Sequence, residues 1–254
     1  MCKFEKARKP KLVLSPSRVD MFKQCRRRYY NRYIARMPLK QWPHFRLGTF
    51  AHGALENFHQ YLLDGEKDGA PKLMKRACLS FHRQMEREGR QLLDGDQAKE
   101  AHAMLAAYLR QADLEGKQSK VLELEKKFTI RLNNDYDLTG IVDRLDMDAD
   151  DVYHIKDYKT SKNARYMKPF QLNAYGIWLL EEHPEVERFR GSYIMLRLNS
   201  ELVSYDFTRE DVDKCRQELI KTADDIMSEE RWIQNQGKLC NWCDFQEVCF
   251  NSWC

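Results

Sequence analysis

The chain has 254 residues, 43% of them hydrophobic and 32% charged, the composition of a folded globular protein rather than a disordered or fibrous one. No apolar run reaches the length of a membrane span, and the opening MCKFEKARKPKLVLS lacks the apolar stretch of a signal peptide, so the sequence predicts a cytoplasmic, reducing setting with no membrane partner. The net charge of +4 divides unevenly: residues 1–46 carry +12 and the remainder −8, a pattern that suits a polyanion partner or, equally, an ordinary solvated basic face.

In chain order, SPSRVDMFKQCRRRYYNRYIA predicts a helix capped by Ser15 or Ser17, with Pro16 in its first turn. Val19, Phe22, Tyr29, Tyr30 and Tyr33 are candidates for its packed side. A second helix runs through GTFAHGALENFHQYLLDG and closes at Gly65. Residues 70–115 read as two helices interrupted near Leu93–Asp96. The period then changes. VLELEKKFTIRL alternates as a strand, Asn133–Asp135 turns, YDLTGIVDRLDMD is a second strand, and VYHIKDYKT a third. PFQLNAYGIWLLEE predicts a helix, RGSYIMLRL and ELVSYDF a further strand pair, and residues 208–232 a last long helix. The tail GKLCNWCDFQEVCFNSWC has no clear period and four cysteines. Helices, a meander, then a helix and more strands predict an α/β domain with a mixed central sheet flanked by helices. The expected layout is one domain, with a basic N-terminal helix at 12–46, a helical insertion at 70–115, a sheet core at 121–207 and a cysteine tail at 238–254.

Acid-x-Lys triplets occur three times, at Glu115/Lys117, Glu125/Lys127 and Asp157/Lys159. Chance yields about three in this composition, so context must select among them. Asp157 and Lys159 share one face of an apolar-leaning strand, and the adjacent strand carries Asp143 between apolar neighbours. Two carboxylates converging on one point are costly without a cation between them. Oxygen ligands with an open side suit Mg²⁺ or Mn²⁺, and a lysine beside them can orient a water and stabilise phosphate charge. Asp146, Asp148, Asp150 and Asp151 read as solvent-facing turn acids. His52 and Glu56 lie four apart on a predicted helix, as do Gln171 and Tyr175 on a later one. A lone helical histidine is more often structural than a ligand.

Together these residues resemble the PD-(D/E)xK nuclease superfamily in its RecB-like branch. SPSRVDMFKQCRRRYYNRYI resembles the N-terminal helix of that branch. GTFAHGALE, LTGIVDRLD, IKDYKTSK and QLNAY resemble its next four motifs, in the family's order. Lys156 departs from the apolar residue commoner before the motif's acid. The resemblance implies a restriction-endonuclease-like core and metal-dependent hydrolysis of DNA phosphodiesters by an exonuclease acting on ends or single strands. His52, Asp143, Asp157 and the backbone carbonyl of Tyr158 would hold the metal. Lys159 would activate water, Gln171 and Tyr175 would contact DNA or brace the site, and Glu56 is a weaker ligand candidate than His52. The other reading is a DNA-end-binding nuclease subunit of a helicase–nuclease or CRISPR spacer-acquisition complex, inactive without a helicase or integrase partner. No phosphate-loop motif is present, so any ATP-driven unwinding would belong to that partner.

Cys240, Cys243 and Cys249 follow a C-x2-C-x5-C spacing, which in a reducing compartment points to metal or redox chemistry. Spacing alone favours zinc or leaves a tie. The resemblance to iron–sulfur nucleases of the branch, AddB-like and CRISPR-adaptation enzymes among them, implies a [4Fe–4S] cluster with Cys25 as the fourth ligand; a Cys₄ zinc site is the alternative. Cys2, Cys78 and Cys215 read as spare thiols, and Cys254 as a weaker competitor of Cys249. Arg26, Arg27, Arg28 and Arg32, set among tyrosines, suit phosphates and stacked bases. Trp42 and Phe45 could stack on a strand or pack in the core.

Overall fold

The computed structural model describes residues 11–40, 42–115 and 119–251. Cys2, Lys117 and Cys254 lie outside them. The chain forms two compact units, Met1–Gln41 with Phe128–Gly140 and Asp213–Cys254, and Trp42–Lys127 with Ile141–Val212.

Six strands make one mixed sheet: β1 (Leu12–Leu14), β2 (Ser119–Arg131), β3 (Tyr136–Asp148), β4 (Tyr153–Lys159), β5 (Arg188–Met195) and β6 (Glu201–Thr208). Their order is β1-β3-β4-β5-β6, with β2 also paired to β3. β3 runs parallel to β1 and antiparallel to β4; β4 runs parallel to β5, which is antiparallel to β6. The expected mixed sheet with flanking helices is what forms. β1 was not legible, because three residues carry no period.

In the first unit, Ser15 caps α1 (Pro16–Gln24) through the amide of Arg18, with Pro16 at the first turn, as the sequence predicts. The predicted continuous helix does not form. Cys25 adopts an extended backbone, φ −162° and ψ 110°, and breaks it. A short α2 (Arg26–Tyr29) follows, then a π-turn over Tyr30–Ile34. α7 (Arg209–Met227) ends five residues before the predicted 232. There the Glu229 carboxylate accepts the amides of Arg231 and Trp232, and Trp232 takes a positive φ of 47°. That turn lays the indole flat on the buried Tyr29 ring, 6.0 Å between centroids. The tail adds a 3-10 turn at Lys238–Trp242 and α8 (Gln246–Asn251).

In the second unit, α3 (Pro43–Leu63) starts five residues earlier than predicted, because Pro43 stands at the first helical position. α4 (Ala70–Arg87) and α5 (Gly95–Glu115) are the two helices expected over 70–115. Their break is set by a capping box, in which the Asp94 carboxylate accepts the Gln97 amide at 2.9 Å and Gln97 Oε1 accepts the Asp94 amide at 3.3 Å. Leu55, Phe58, Leu73, Ala77, Phe81, Leu105 and Tyr108 join these helices in one core with Tyr158 and Ile194 of the sheet. Gly53 permits the closest approach: a Cβ there would sit 2.0 Å from the Phe81 ring. α6 (Phe170–Glu182) crosses between the parallel β4 and β5, and Gly176 admits the Phe189 ring in the same way.

Asp146 corrects the sequence reading. It is fully buried rather than solvent-facing, and it receives the Arg144 guanidinium at 2.6 Å and the Lys156 ammonium at 3.0 Å, both also buried. Asp148 is likewise engaged, by His154 at 3.1 Å and Arg190 at 3.2 Å, whereas Asp150 and Asp151 are exposed. The unusual Lys156 is thus half of a buried ion pair. Burial pushes the Asp146 carboxyl up, but the two cations outweigh it and hold it low. Asp146→Asn leaves two cations without their counter-charge, so we expect a loss of about 3–5 kcal/mol, measured by urea unfolding.

Candidate active site

All residues of the site belong to the second unit. β3 and β4 pair Arg144 with Lys156, so Asp143 and Asp157 face each other one step further on. Both are buried. Asp143 Oδ2 accepts the Tyr158 backbone N–H at 2.8 Å and approaches His52 Nδ1 at 3.3 Å. α3 supplies His52, whose ring stands edge-on to Tyr158 with centroids 5.8 Å apart.

Beside this pair, Lys159 Nζ lies 2.6 Å from Asp157 Oδ2. Gln171 clamps both: its Oε1 accepts from Lys159 Nζ at 3.0 Å, and its Nε2 donates to Asp157 Oδ1 at 2.7 Å and to Tyr175 Oη at 2.8 Å. Gln171 and Tyr175 share a face of α6, so one helix fixes the orientation of the acid-x-Lys pair. Behind Tyr158, its hydroxyl meets Tyr108 of α5 at 3.3 Å, and Tyr108 meets His59 at 2.6 Å and Arg144 at 2.9 Å.

Donor atoms of His52, Glu125 and Asp143 all lie within 4.8 Å of one another, an arrangement able to hold a metal ion. Glu125 is the member that sequence reasoning missed. Its triplet with Lys127 is one of the three acid-x-Lys triplets, and context selected Asp157/Lys159 instead. In the fold its backbone takes a positive φ of 45°, a local departure from regular strand geometry. Glu56 lines the same cleft but is not part of the three-residue group.

The electrostatics are those of crowded carboxylates. Burial, then the charges of Asp143 and Glu56, push Glu125 up to about 7. Burial does the same to Asp157, with Lys159 opposing and Asp143 adding, and leaves it at about 6. Burial alone would push His52 down; the hydrogen bond and charge of Asp143, backed by Asp157 and Glu125, outweigh it and hold the imidazole at about 9. Each raised value means the metal-free folded chain keeps protons that the unfolded chain releases. The stability those protons bring is complete below each ordinary value and is lost as pH rises through about 6, 7 and 9 in turn. A divalent cation replaces them only where the ligands are deprotonated. Millimolar Mg²⁺ should therefore raise Tm little at pH 5.5 and by several degrees at pH 9.5, read by scanning fluorimetry with and without the ion.

Cys25, Cys240, Cys243 and Cys249 belong to the first unit. Cys25 Sγ accepts the Asn235 amide at 3.4 Å. Cys243 closes the turn that contains Cys240, and the Cys249 amide donates to Phe245 O at 3.0 Å. Burial raises the Cys249 thiol, and the charges of Cys243, Cys25 and Cys240 raise it further against Arg27. Among the described residues, no three cysteine sulfurs lie within 4.8 Å of one another. Cys215, also in the first unit, and Cys78, in the second, are each pushed up by burial.

The basic segment is largely paired within its own unit. Arg26 bonds Glu229, and Arg28 lies 3.7 Å from Asp244. Arg27 and Arg32 sit over the rings of Tyr30 and Tyr33 at 5.8 and 5.9 Å.

The sequence model of a family described as the PD-(D/E)XK nuclease superfamily matches residues 13–250. Among solved structures, a protein from Eubacterium rectale described as "Putative exonuclease" is 11% identical with a TM-score of 0.52, covering 91% of this chain and 86% of that one. The structure of SSO0001 is 15% identical with a TM-score of 0.41, covering 95% and 87%. No curated protein matches the chain. Among the described residues, no helix is long and apolar enough to cross a membrane.

Proposed function

We propose, for a chain that belongs to the PD-(D/E)XK nuclease superfamily, that it hydrolyses DNA phosphodiester bonds with Mg²⁺ or Mn²⁺ and acts as an exonuclease on ends or single strands. The observation that carries this reading is the convergence of His52, Glu125 and Asp143 beside the Asp157–Lys159–Gln171 clamp. This donor set of one imidazole and several carboxylates fits a hard divalent cation. A cation held by His52, Glu125, Asp143, Asp157 and the Tyr158 carbonyl would supply positive charge against the scissile phosphate and acidify water. Lys159 orients the attacking water and stabilises charge building on the phosphate oxygens. Gln171 keeps Lys159 and Asp157 in register, and Tyr175 anchors Gln171.

The RecB-like iron–sulfur branch is part of the same reading. The C-x2-C-x5-C trio of Cys240, Cys243 and Cys249, with Cys25 of the same unit, would supply the four thiolates that a [4Fe–4S] cluster takes, and Arg27, whose charge acts on Cys249, would offset part of its negative charge. A cluster there would tie the start of α2 to the C-terminal tail of the same unit.

Cleavage of end-labelled single-stranded and duplex DNA, with Mg²⁺, Mn²⁺ or chelator, tests the activity. The expected result is a ladder growing from an end, with either metal and none in chelator. Uncut DNA across both metals, from protein shown to bind it, would remove the exonuclease reading.

A further inference from the structure

A cleft of about 790 Å³ opens on the site, and one face of α3 forms its floor. Phe45, Thr49, His52 and Glu56 recur along α3 at spacings of four, three and four, so they share that face. The stripe is graded. Glu56 and His52 stand at the metal-binding end. Thr49 follows, and beside it Gly48 packs against Thr160, where a Cβ would come within 3.3 Å of the Thr160 hydroxyl. Phe45 closes the far end with 58% of its surface exposed, although most of its apolar neighbours on α3 are buried. Seven helical residues put Phe45 about 10 Å from His52 along the axis. Arg90 lines the opposite wall, on the loop between α4 and α5. Arg46 fastens that loop to α3 through Leu92 O at 3.3 Å, and the Arg90 amide donates to Met85 O at 2.9 Å. The Arg90 guanidinium pairs with Glu88, but both are exposed, and such a pair yields easily to a phosphate.

We infer that this face of α3 is a single-strand track, in which Phe45 stacks an unpaired base one or two nucleotides from the cleaved bond and Arg90 holds a phosphate of the same strand. The inference rests on the nuclease reading and names the form of its substrate. An exposed aromatic ring needs a base with a free face, which a single strand offers and a base pair in a duplex does not. The cleft volume lies in the range that takes a few such units rather than a helix. The helical pair over 70–115, which the sequence leaves without a role, becomes the outer wall of that track through Arg90.

The test separates the track from the chemistry. Binding of fluorescent oligothymidylate and of a blunt duplex is measured by anisotropy in the Lys159→Ala background, where cleavage does not interfere. Hydrolysis of bis(p-nitrophenyl) phosphate is measured in otherwise wild-type protein. Phe45→Ala should weaken single-strand binding about 5- to 100-fold, with duplex binding and the small-phosphodiester rate each within twofold. Phe45→Trp should restore single-strand binding. Arg90→Ala should weaken it as well and flatten its dependence on salt. Single-strand affinity within twofold for Phe45→Ala, or an equal loss on the duplex, overturns the track. Wild-type protein that hydrolyses neither DNA nor the small phosphodiester overturns the nuclease reading instead, while the binding data still judge the track.

Discussion

Lys159→Ala should lower kcat for DNA cleavage about 10³-fold while leaving the Mg²⁺ half-saturation within about threefold. Asp143→Ala should lose comparable activity by a different route, with half-saturation moved beyond the usable range. The difference follows from where the two side chains sit. Asp143 shares the metal-binding group with His52 and Glu125, so its removal takes away a ligand and leaves His52 without its partner. Lys159 contributes no ligand. Its ammonium lies between Asp157 and Gln171 at 2.6 and 3.0 Å, on the edge of the cluster and partly open to solvent. Its loss has a pH signature too. Lys159 is the main group that opposes the upward push of burial on Asp157. Without it the carboxyl stays protonated to higher pH, so the pH midpoint of the residual activity of Lys159→Ala should lie above that of the wild type. Initial rates across Mg²⁺ concentration at pH 6, 7, 8 and 9 measure both effects. A simple loss of folded protein would lower every rate alike and give neither the metal split nor the pH shift.

What was legible of this site depended on whether a residue's role follows from local spacing. Asp143, Asp157 and Lys159 sit on regular strands whose pairing follows from the meander, and Gln171 with Tyr175 lie on one face of a regular helix. For these residues period translated directly into position. Glu125 was illegible for the opposite reason. Its strand departs from regularity at that very residue, with φ at 45°, and periodicity cannot report such a local departure. Asp146 misled because acids near a turn are usually solvated; only the packing of β3 against β4 shows that Arg144 and Lys156 meet it in the interior. The break at Cys25 failed in the same manner. Helical propensity runs unbroken through the arginines and tyrosines of that segment, and nothing local demands an extended residue there. Its partner is Asn235, about two hundred residues away. The break serves a tertiary need, which is to present a thiol between two helices.

That exposed need leads to the largest stability effect expected of the chain. On the iron–sulfur reading, Cys25→Ser in anaerobically purified protein should abolish the visible absorption and the bound iron and sulfide. It should also lower Tm by about 10–20 °C. A cross-link between positions 25 and 240 closes a loop of more than 200 residues, which on chain-entropy grounds stabilises the fold by about 5 kcal/mol. For a chain of this size each kcal/mol is worth about 2–4 °C. The contacts that would remain include the Trp232 ring on Tyr29, the Asn235 amide on Gln24 O at 3.0 Å, and the ion pairs of Arg28 with Asp244 and Lys40 with Glu247; surface pairs of this kind are each worth little by comparison. Cys240→Ser and Cys243→Ser should match Cys25→Ser, since loss of any one thiolate opens the same cross-link. Cys78→Ser, in the other unit and without a neighbouring cysteine among its influences, should keep iron and Tm unchanged. Colourless wild-type protein with one zinc per chain would keep the cross-link and its stability and replace the cluster with a Cys₄ zinc site. Wild-type protein with neither metal, melting at the same temperature as Cys25→Ser, would leave the four cysteines without a metal role.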